Sequence, residues 1–449
     1  MQKYIDYTTG NKFKKILKAS IPLIFLNLLT LFYNSVDYFW LDRIDMFHAQ
    51  PISQIVISCV GSLSMLLWLA RGVIEFVRPG FEYYVSKNIG AKHLDGDYQS
   101  WISNGVILSI VISFIFCILL WLFQDQIINF LTLGDNYNYA HQYIITLIPT
   151  LLLLMINMIL SSCLLVIGHT LPIFIINGFG LLLNLFLDPY LILKLRLEIF
   201  GAGLSNIISA LITCIILILF LKYYKVNFNF KLSFTKMKQI LVKSFPIAIG
   251  SIVFTIVSMM ITSLIVSKFG DAVNSVKTIG STIEGLSWNV FGLAIAQIIC
   301  VYVAQNVGAN QIDFFKAINN MVLIVSVITI IISIIMFTFP SQLFSIFTDN
   351  NQIQQVGVGY LKILSISQLF MSYEALYVGM INGLGKTKYN YIISLMYNII
   401  LVIIIFNLKH DVNLLWIMLA FINILRGLKA VFVFKHLKQQ YLNKEVNCE

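Results

Sequence analysis

Apolar residues run along this chain in long blocks separated by short polar stretches, from about residue 16 to residue 434. The twelve blocks lie at about 16–41, 52–82, 101–123, 141–167, 171–193, 200–221, 240–266, 273–303, 318–339, 357–383, 389–407 and 411–434. As a helix, a block of about 20 residues crosses a hydrocarbon core roughly 30 Å thick. None shows the alternation of period two that a barrel strand needs, so the spans are helices. The pattern predicts an all-α integral membrane protein with twelve transmembrane helices.

Composition agrees: 59% of the 449 residues are hydrophobic, 11% are charged and the mean hydropathy is +0.86, outside the range of soluble domains. The net charge of +10 gains its meaning from where the charges lie. Nineteen lysines fall in the N-terminal segment, the 222–243 stretch and the other segments on one side, against five basic residues in the opposite loops. This bias orients a multi-pass protein of the cytoplasmic membrane with both termini in the cytoplasm. The basicity is topological, with some attraction to anionic lipid, and calls for no nucleic acid. The polar first dozen residues and the lack of a small-residue cleavage site argue against a cleavable signal peptide.

Five of the six cysteines (Cys59, Cys117, Cys163, Cys214 and Cys300) lie inside predicted spans without paired or metal-ligand spacing, and read as small packing residues. Cys448 is in the tail. Histidines are scattered without zinc spacing, and no phosphate-cradling glycine loop is present. The Asp-x-Asp at 94–97, "LDGD", sits in a short polar turn with no nucleotide-binding domain around it. The expectation is a protein that is not an enzyme, has no metal or cofactor and acts as a monomer.

The chain repeats itself. "YYVSKNIGAKH" near the end of span two returns 218 positions later as "VYVAQNVGANQ" near the end of span eight. "IGHTL" at 167–171 is answered by "LGKTK" at 384–388, and "LKASIPL" before span one by "LVKSFPI" before span seven. Two halves of six spans each then share one orientation, related by a pseudo-two-fold axis along the membrane normal. The expected division is an N-terminal lobe, 1–225, a lysine-rich cytoplasmic linker, 226–238, and a C-terminal lobe, 239–449. Two parallel lobes about a cleft is a transporter architecture.

"ASIPLIFLNLLTLFYNSVDYFW", the "NIGA" and "NVGA" segments and "NLFLDP" in span five resemble the multidrug and toxic compound extrusion (MATE) family over nearly the whole chain. The combination of Asp37 with Asn184-x-x-x-Asp188 resembles its DNA-damage-inducible subgroup. The resemblance implies a secondary antiporter that exports an organic or drug-like solute by alternating access. The coupling ion implied is a proton, with sodium as the alternative. It also implies a polar cluster of Asp37, Tyr33, Asn184 and Asp188.

Depth along the helices supports that cluster independently. Asp37 lies about 21 residues from the cytoplasmic start of span one, Asp188 about 17 residues up span five and Asn206 about six residues down span six. All three reach the outer half of one lobe, and Tyr33 and Asn184 stand one turn below their acids. An acid inside a membrane is costly unless it faces a cavity or a partner. The alternative is that Asp37 marks a helix end and that Asp188, followed by Pro189, stops its helix.

Other charges depart from the family pattern. Asp42 and Asp45 stand where glycines are usual, and span seven has no acid. Span two carries Arg71, Glu75, Arg78 and Glu82, spaced to form a salt-bridge ladder on one helical stripe. The other reading sets Arg71 in the substrate cleft against an anionic or zwitterionic solute. Asn157 in span four and its repeat mate Glu374 in span ten, together with Glu284 and Lys277 in span eight, complete the candidates. Asn157 reads as a helix-to-helix hydrogen-bonding residue, and the two glutamates as partners of Lys277, Lys362 or Arg426 or as a second ion or substrate site. The alternative function is a flippase for a lipid-linked oligosaccharide or related amphiphile, with the span-two arginines meeting phosphate.

Overall fold

The computed structural model describes residues 4–33, 40–47, 53–92, 97–132, 136–226, 228, 231–348, 350–407 and 411–446. These residues form eighteen α-helices: α1 Lys12–Tyr33, α2 Ser53–Leu63, α3 Met65–Ile74, α4 Arg78–Gly90, α5 Asp97–Leu122 and α6 Gln124–Thr132. There follow α7 Tyr137–Val166, α8 Thr170–Asp188, α9 Glu198–Tyr223, α10 Phe234–Phe269, α11 Asp271–Gly285 and α12 Ala294–Gly308. The last six are α13 Phe315–Thr338, α14 Pro340–Ser345, α15 Asn351–Ser365, α16 Gln368–Gly383, α17 Lys388–Asn407 and α18 Val412–Val446. Two π-helical stretches, Pro189–Lys194 and Leu286–Leu293, continue α8 and α11. Among the described residues, nine helical segments are long and apolar enough to cross a membrane.

Large apolar side chains point away from the protein all along these helices, among them Phe114, Ile118, Trp121, Phe186, Ile331 and Phe432. In water this would be an aggregation hazard; in a bilayer it is the lipid-facing surface. Because lipid tails are as apolar as leucine, the helices are held together mainly by close packing and internal hydrogen bonds.

The chain forms two compact units. The first comprises residues 1–5, 29–85 and 94–248. Its core joins Val56, Leu63 and Ile74 with Ile144, Leu147 and Leu151 of α7. The α7–α9 crossing is tight because Gly203 has no side chain: a β-carbon there would fall 1.8 Å from the Thr146 hydroxyl. The second unit comprises residues 6–28, 86–93 and 249–449. Its core gathers Val276, Ile283, Phe344, Leu361, Leu364 and Trp416.

Span two differs from its sequence reading. The stretch from Gln54 to Gly90 is interrupted at Glu75–Val77, so the four charges do not lie along one regular helix. Pro79 explains the break: its ring clashes with the carbonyl four residues back, at Glu75, and it has no N–H to donate.

The N-terminal segment of the second unit is folded back on α12. The Tyr7 amide donates to Gln305 Oε1 at 3.0 Å, Asn306 Nδ2 donates to the Tyr7 carbonyl at 3.4 Å, and the Tyr7 ring meets Tyr302 edge-on at 6.3 Å. Burial pushes the Tyr7 phenol up. Asp6 ties the turn together, accepting from the Thr8 amide (2.8 Å), the Thr8 hydroxyl (2.6 Å) and the Thr9 hydroxyl (3.2 Å). Lys15 donates to the Thr9 carbonyl at 2.8 Å.

Candidate functional site

Three elements of the first unit meet in a polar cluster. The Tyr33 hydroxyl, on the last residue of α1, donates to Asn184 Oδ1 of α8. Asn184 Nδ2 donates to Ser205 Oγ and to Asn206 Oδ1 of α9, both at 3.1 Å. Ser205 Oγ donates to Asp188 Oδ1 and also stands 2.8 Å from the Ala202 carbonyl. Asn184 and Asp188 are buried, Asp188 completely. Thus Tyr33, Asn184, Asp188 and Asn206 come together as the sequence predicts. Asp37 lies outside the described residues.

Ser205 joins Asn184 to Asp188, and sequence reasoning missed it. Its number, one before Asn206, is the only signal, since serines are common in membrane helices as local caps. A serine hydroxyl has one hydrogen and here two acceptors. With Asp188 ionised the hydrogen goes to the carboxylate. With Asp188 protonated the acid itself can donate to Ser205 Oγ, and the serine hydrogen turns to the Ala202 carbonyl. Ser205 and Oδ1 of Asp188 therefore have a hydrogen-bond arrangement for either state of the acid.

Asp188 does not end its span. Pro189 cannot supply the next α-helical hydrogen bond, and the chain widens into the π-helical turn Pro189–Lys194 instead of stopping.

Asn157 belongs to the contact between α7 and α8: Ser161 Oγ donates to Asn157 Oδ1 at 3.3 Å and Asn177 Nδ2 donates to Ser161 Oγ at 3.2 Å. In span two, Arg78 Nε donates to Glu75 Oε1 at 2.9 Å, and Ser162 Oγ of α7 donates to Glu82 Oε1 at 2.8 Å. Arg71 stands apart from both acids, its guanidinium 5.1 Å above the Trp68 ring. Of the ladder, Arg78 pairs with Glu75 across the break at Glu75–Val77, and Arg71 pairs with no acid among the described residues.

The second unit holds its own buried acid. Glu284 accepts from the Tyr360 hydroxyl and, at 2.8 Å, from Gln368 Nε2. Ser287 donates to Gln368 Oε1 and is 2.9 Å from the Glu284 carbonyl. Lys277 donates to Thr262 Oγ1 at 3.1 Å. The structure gives Glu284 neutral partners, where the sequence reading offers it a lysine or arginine. Glu374 does pair with Arg426, at 2.9 Å through both Nε and Nη2. Tyr360 and Gln368 escaped sequence reasoning because they lie 76 and 84 residues away from Glu284, and a single sequence carries no signal of such pairing.

Buried acids held by polar side chains within an all-α, multi-pass core define a polytopic membrane protein with intramembrane polar sites. The MatE family model matches residues 22–190 and 246–407, and the chain belongs to that family. The two matched segments begin at the paired prolines Pro22 and Pro246. The chain is similar to the probable multidrug resistance protein NorM of Thermotoga maritima, with 25% identity over 83% of this chain and 80% of that protein. It is also similar to the multidrug export protein MepA of Staphylococcus haemolyticus, with 22% identity over 88% and 87%. Its fold is similar to that of a solved structure described as the outward-facing conformation of a multidrug resistance MATE family transporter of the MOP superfamily, with a TM-score of 0.87 and 18% identity over 96% of this chain and 97% of that one.

Proposed function

We propose that this protein is a secondary antiporter that exports an organic or drug-like solute across the cytoplasmic membrane by alternating access, with proton entry driving export. The names of the NorM and MepA relatives support multidrug efflux. The lysine distribution supports a chain with both termini in the cytoplasm. The observation that carries the coupling is the completely buried Asp188 with Ser205 between two acceptors.

Protonation removes a charge from the cluster and redirects the Ser205 hydrogen. Asn184, which shares Ser205 with the acid, links the change to Tyr33 at the end of α1. On the sequence reading Asp37 follows one turn later and completes the site. Protonation from outside weakens the solute site and favours release, and loss of the proton to the cytoplasm restores it. Sodium, the alternative ion, would need the acids ionised and acting as ligands.

The test is a proteoliposome assay with pH and sodium gradients imposed separately. Proton-driven export of a panel of organic cations and anions should disappear in Asp188→Asn and in Asp37→Asn, while both proteins stay folded and monodisperse. Wild-type export by Asp188→Asn under a pH gradient would remove the acid from the mechanism, and a response to sodium alone would replace the ion. The flippase reading draws on one observation, the position of Arg71.

A further inference from the structure

Arg71 is seventeen residues from Gln54 and nineteen from Gly90, at the middle of the longest stretch of span two. Its side chain is exposed, and so is its stacking partner Trp68, at 59%. The acid spaced to neutralise it, Glu75, is engaged by Arg78, and the next acid of the span, Glu82, is held by Ser162. Among the described residues no carboxylate pairs with Arg71.

A guanidinium at this depth cannot remain against lipid. Its side chain, roughly 7 Å long, does not reach a membrane interface roughly 15 Å away, so it cannot snorkel to water. Intramembrane arginines accordingly face water-filled cavities or the solute pathway. The neighbouring indole offers an exposed flat apolar surface, and the arginine above it offers planar, bidentate donors suited to carboxylate, sulfonate or phosphate. Structural ion pairing would have placed Glu75 on Arg71; Glu75 is on Arg78 instead.

We propose that Arg71 and Trp68 form a subsite for the anionic group of an amphiphilic solute, the guanidinium holding the acid group and the indole stacking on the adjoining apolar ring. The direction in which that solute travels rests on the export reading; the chemistry of the subsite rests on Arg71 and Trp68. The same chemistry fits a soluble aromatic anion and the phosphate of a lipid headgroup.

The experiment uses the full chain in detergent micelles and two probes with the same ring and opposite charge, 1-naphthalenesulfonate and N,N,N-trimethyl-1-naphthylammonium, in equilibrium dialysis. Wild type should bind the sulfonate at least about tenfold more tightly than the ammonium, the scale of one charge-assisted contact. Arg71→Gln should lose that advantage and keep its affinity for the ammonium, Arg71→Lys should fall between, and Trp68→Leu should weaken both probes. Displacement of the sulfonate by added phosphatidylglycerol assigns the site to a lipid headgroup, and indifference to the lipid assigns it to a soluble amphiphile.

Preference of the wild type for the ammonium overturns the proposal, as does undiminished sulfonate binding by Arg71→Gln. Equal loss of both probes in Arg71→Gln also overturns it, making Arg71 a structural counter-ion. Should Arg71→Gln fail to fold, the wild-type preference and Arg71→Lys decide. Sulfonate binding without gradient-driven movement in proteoliposomes would sink the export reading and leave the subsite standing.

Discussion

The carbonyl oxygen of Gln305 lies 1.8 Å from the point where a β-carbon on Gly90 would sit, and the carbonyl of Lys87 stands in the same relation to Gly308 at 2.0 Å. The two contacts exchange under the 218-residue repeat, which maps Lys87 onto Gln305 and Gly90 onto Gly308. The internal duplication is therefore expressed as reciprocal backbone packing between the ends of α4 and α12. Gly90→Ala and Gly308→Ala should each destabilise the protein by about 1–3 kcal/mol, the usual range for overpacking against atoms that cannot move aside. Gly178→Ala, whose nearest obstacle is Leu29 Cδ1 at 3.7 Å, should change stability by less than about 1 kcal/mol. Thermal unfolding in detergent compares the three, and equal melting temperatures for Gly90→Ala and Gly178→Ala would contradict the contact.

Among the described residues, Tyr360 and Gln368 are the two side-chain donors given to Glu284. Tyr360→Phe leaves one side of a buried carboxyl group without its partner and should cost about 1–3 kcal/mol. Gln368→Leu removes the other donor and leaves Ser287 without its acceptor, so its loss should be at least as large. Unfolding transitions indistinguishable from wild type in both variants would mean that Glu284 is satisfied by other means.

Glu374 and Arg426 should behave as a coupled pair. Each is half-buried, so removing one charge strands the other inside a span. Glu374→Gln and Arg426→Gln should each reduce folded yield, and the double variant should recover part of the loss. Strict additivity would show that the ion pair contributes nothing.

The span-two charges should couple only where they touch. Glu75→Gln and Arg78→Gln should be non-additive in melting temperature, while Arg71→Gln combined with Glu75→Gln should be additive. A strong interaction between Arg71 and Glu75 would restore the ladder that the sequence spacing suggests.

Asp6 gives the N-terminal turn a defined response to acid. Burial raises its carboxyl, but the Thr8 hydroxyl and amide, the Thr9 hydroxyl and the Lys15 ammonium outweigh that and hold it below its ordinary value of 3.8. A lowered folded value means that the stabilisation is fully present above pH 3.8 and is lost as the pH falls through the lower folded value. Asp6→Asn should therefore melt below wild type at pH 7, and the gap should narrow as the pH falls below 3.8. A gap that stays constant across this range would show that the charge of Asp6 is irrelevant to the turn.

Much of the fold is legible in the order of the amino acids. Block length implies the helical class, and the spacing of Asn184 and Asp188 on one face anticipates their shared cluster. What one sequence cannot supply is the identity of distant partners. Glu284 reads as needing a cation because cations are the obvious neighbours of an acid, yet the fold brings it a tyrosine and a glutamine from 76 and 84 residues away. Arg71 and Glu75 have ideal helical spacing, and the helix runs unbroken to Ile74 with Glu75 still in helical conformation, yet Glu75 pairs with Arg78 across the break that follows.

The π-helical stretch at Leu286–Leu293 sets the rotational phase of everything that follows it in the span. Deleting a single residue there would let the backbone relax into a regular α-helix with no hydrogen bond lost. Gln305, Asn306 and Gly308 would keep their facing, because the wider π-helical turn already takes up the roughly 100° that one α-helical residue subtends. Tyr7 would keep its partners and Gly308 would still face Lys87. The same deletion in the regular helix beyond it, between Ala294 and Gln305, would rotate those residues by that angle, so the π-helical turn is the stretch of this span built to absorb the loss of a residue.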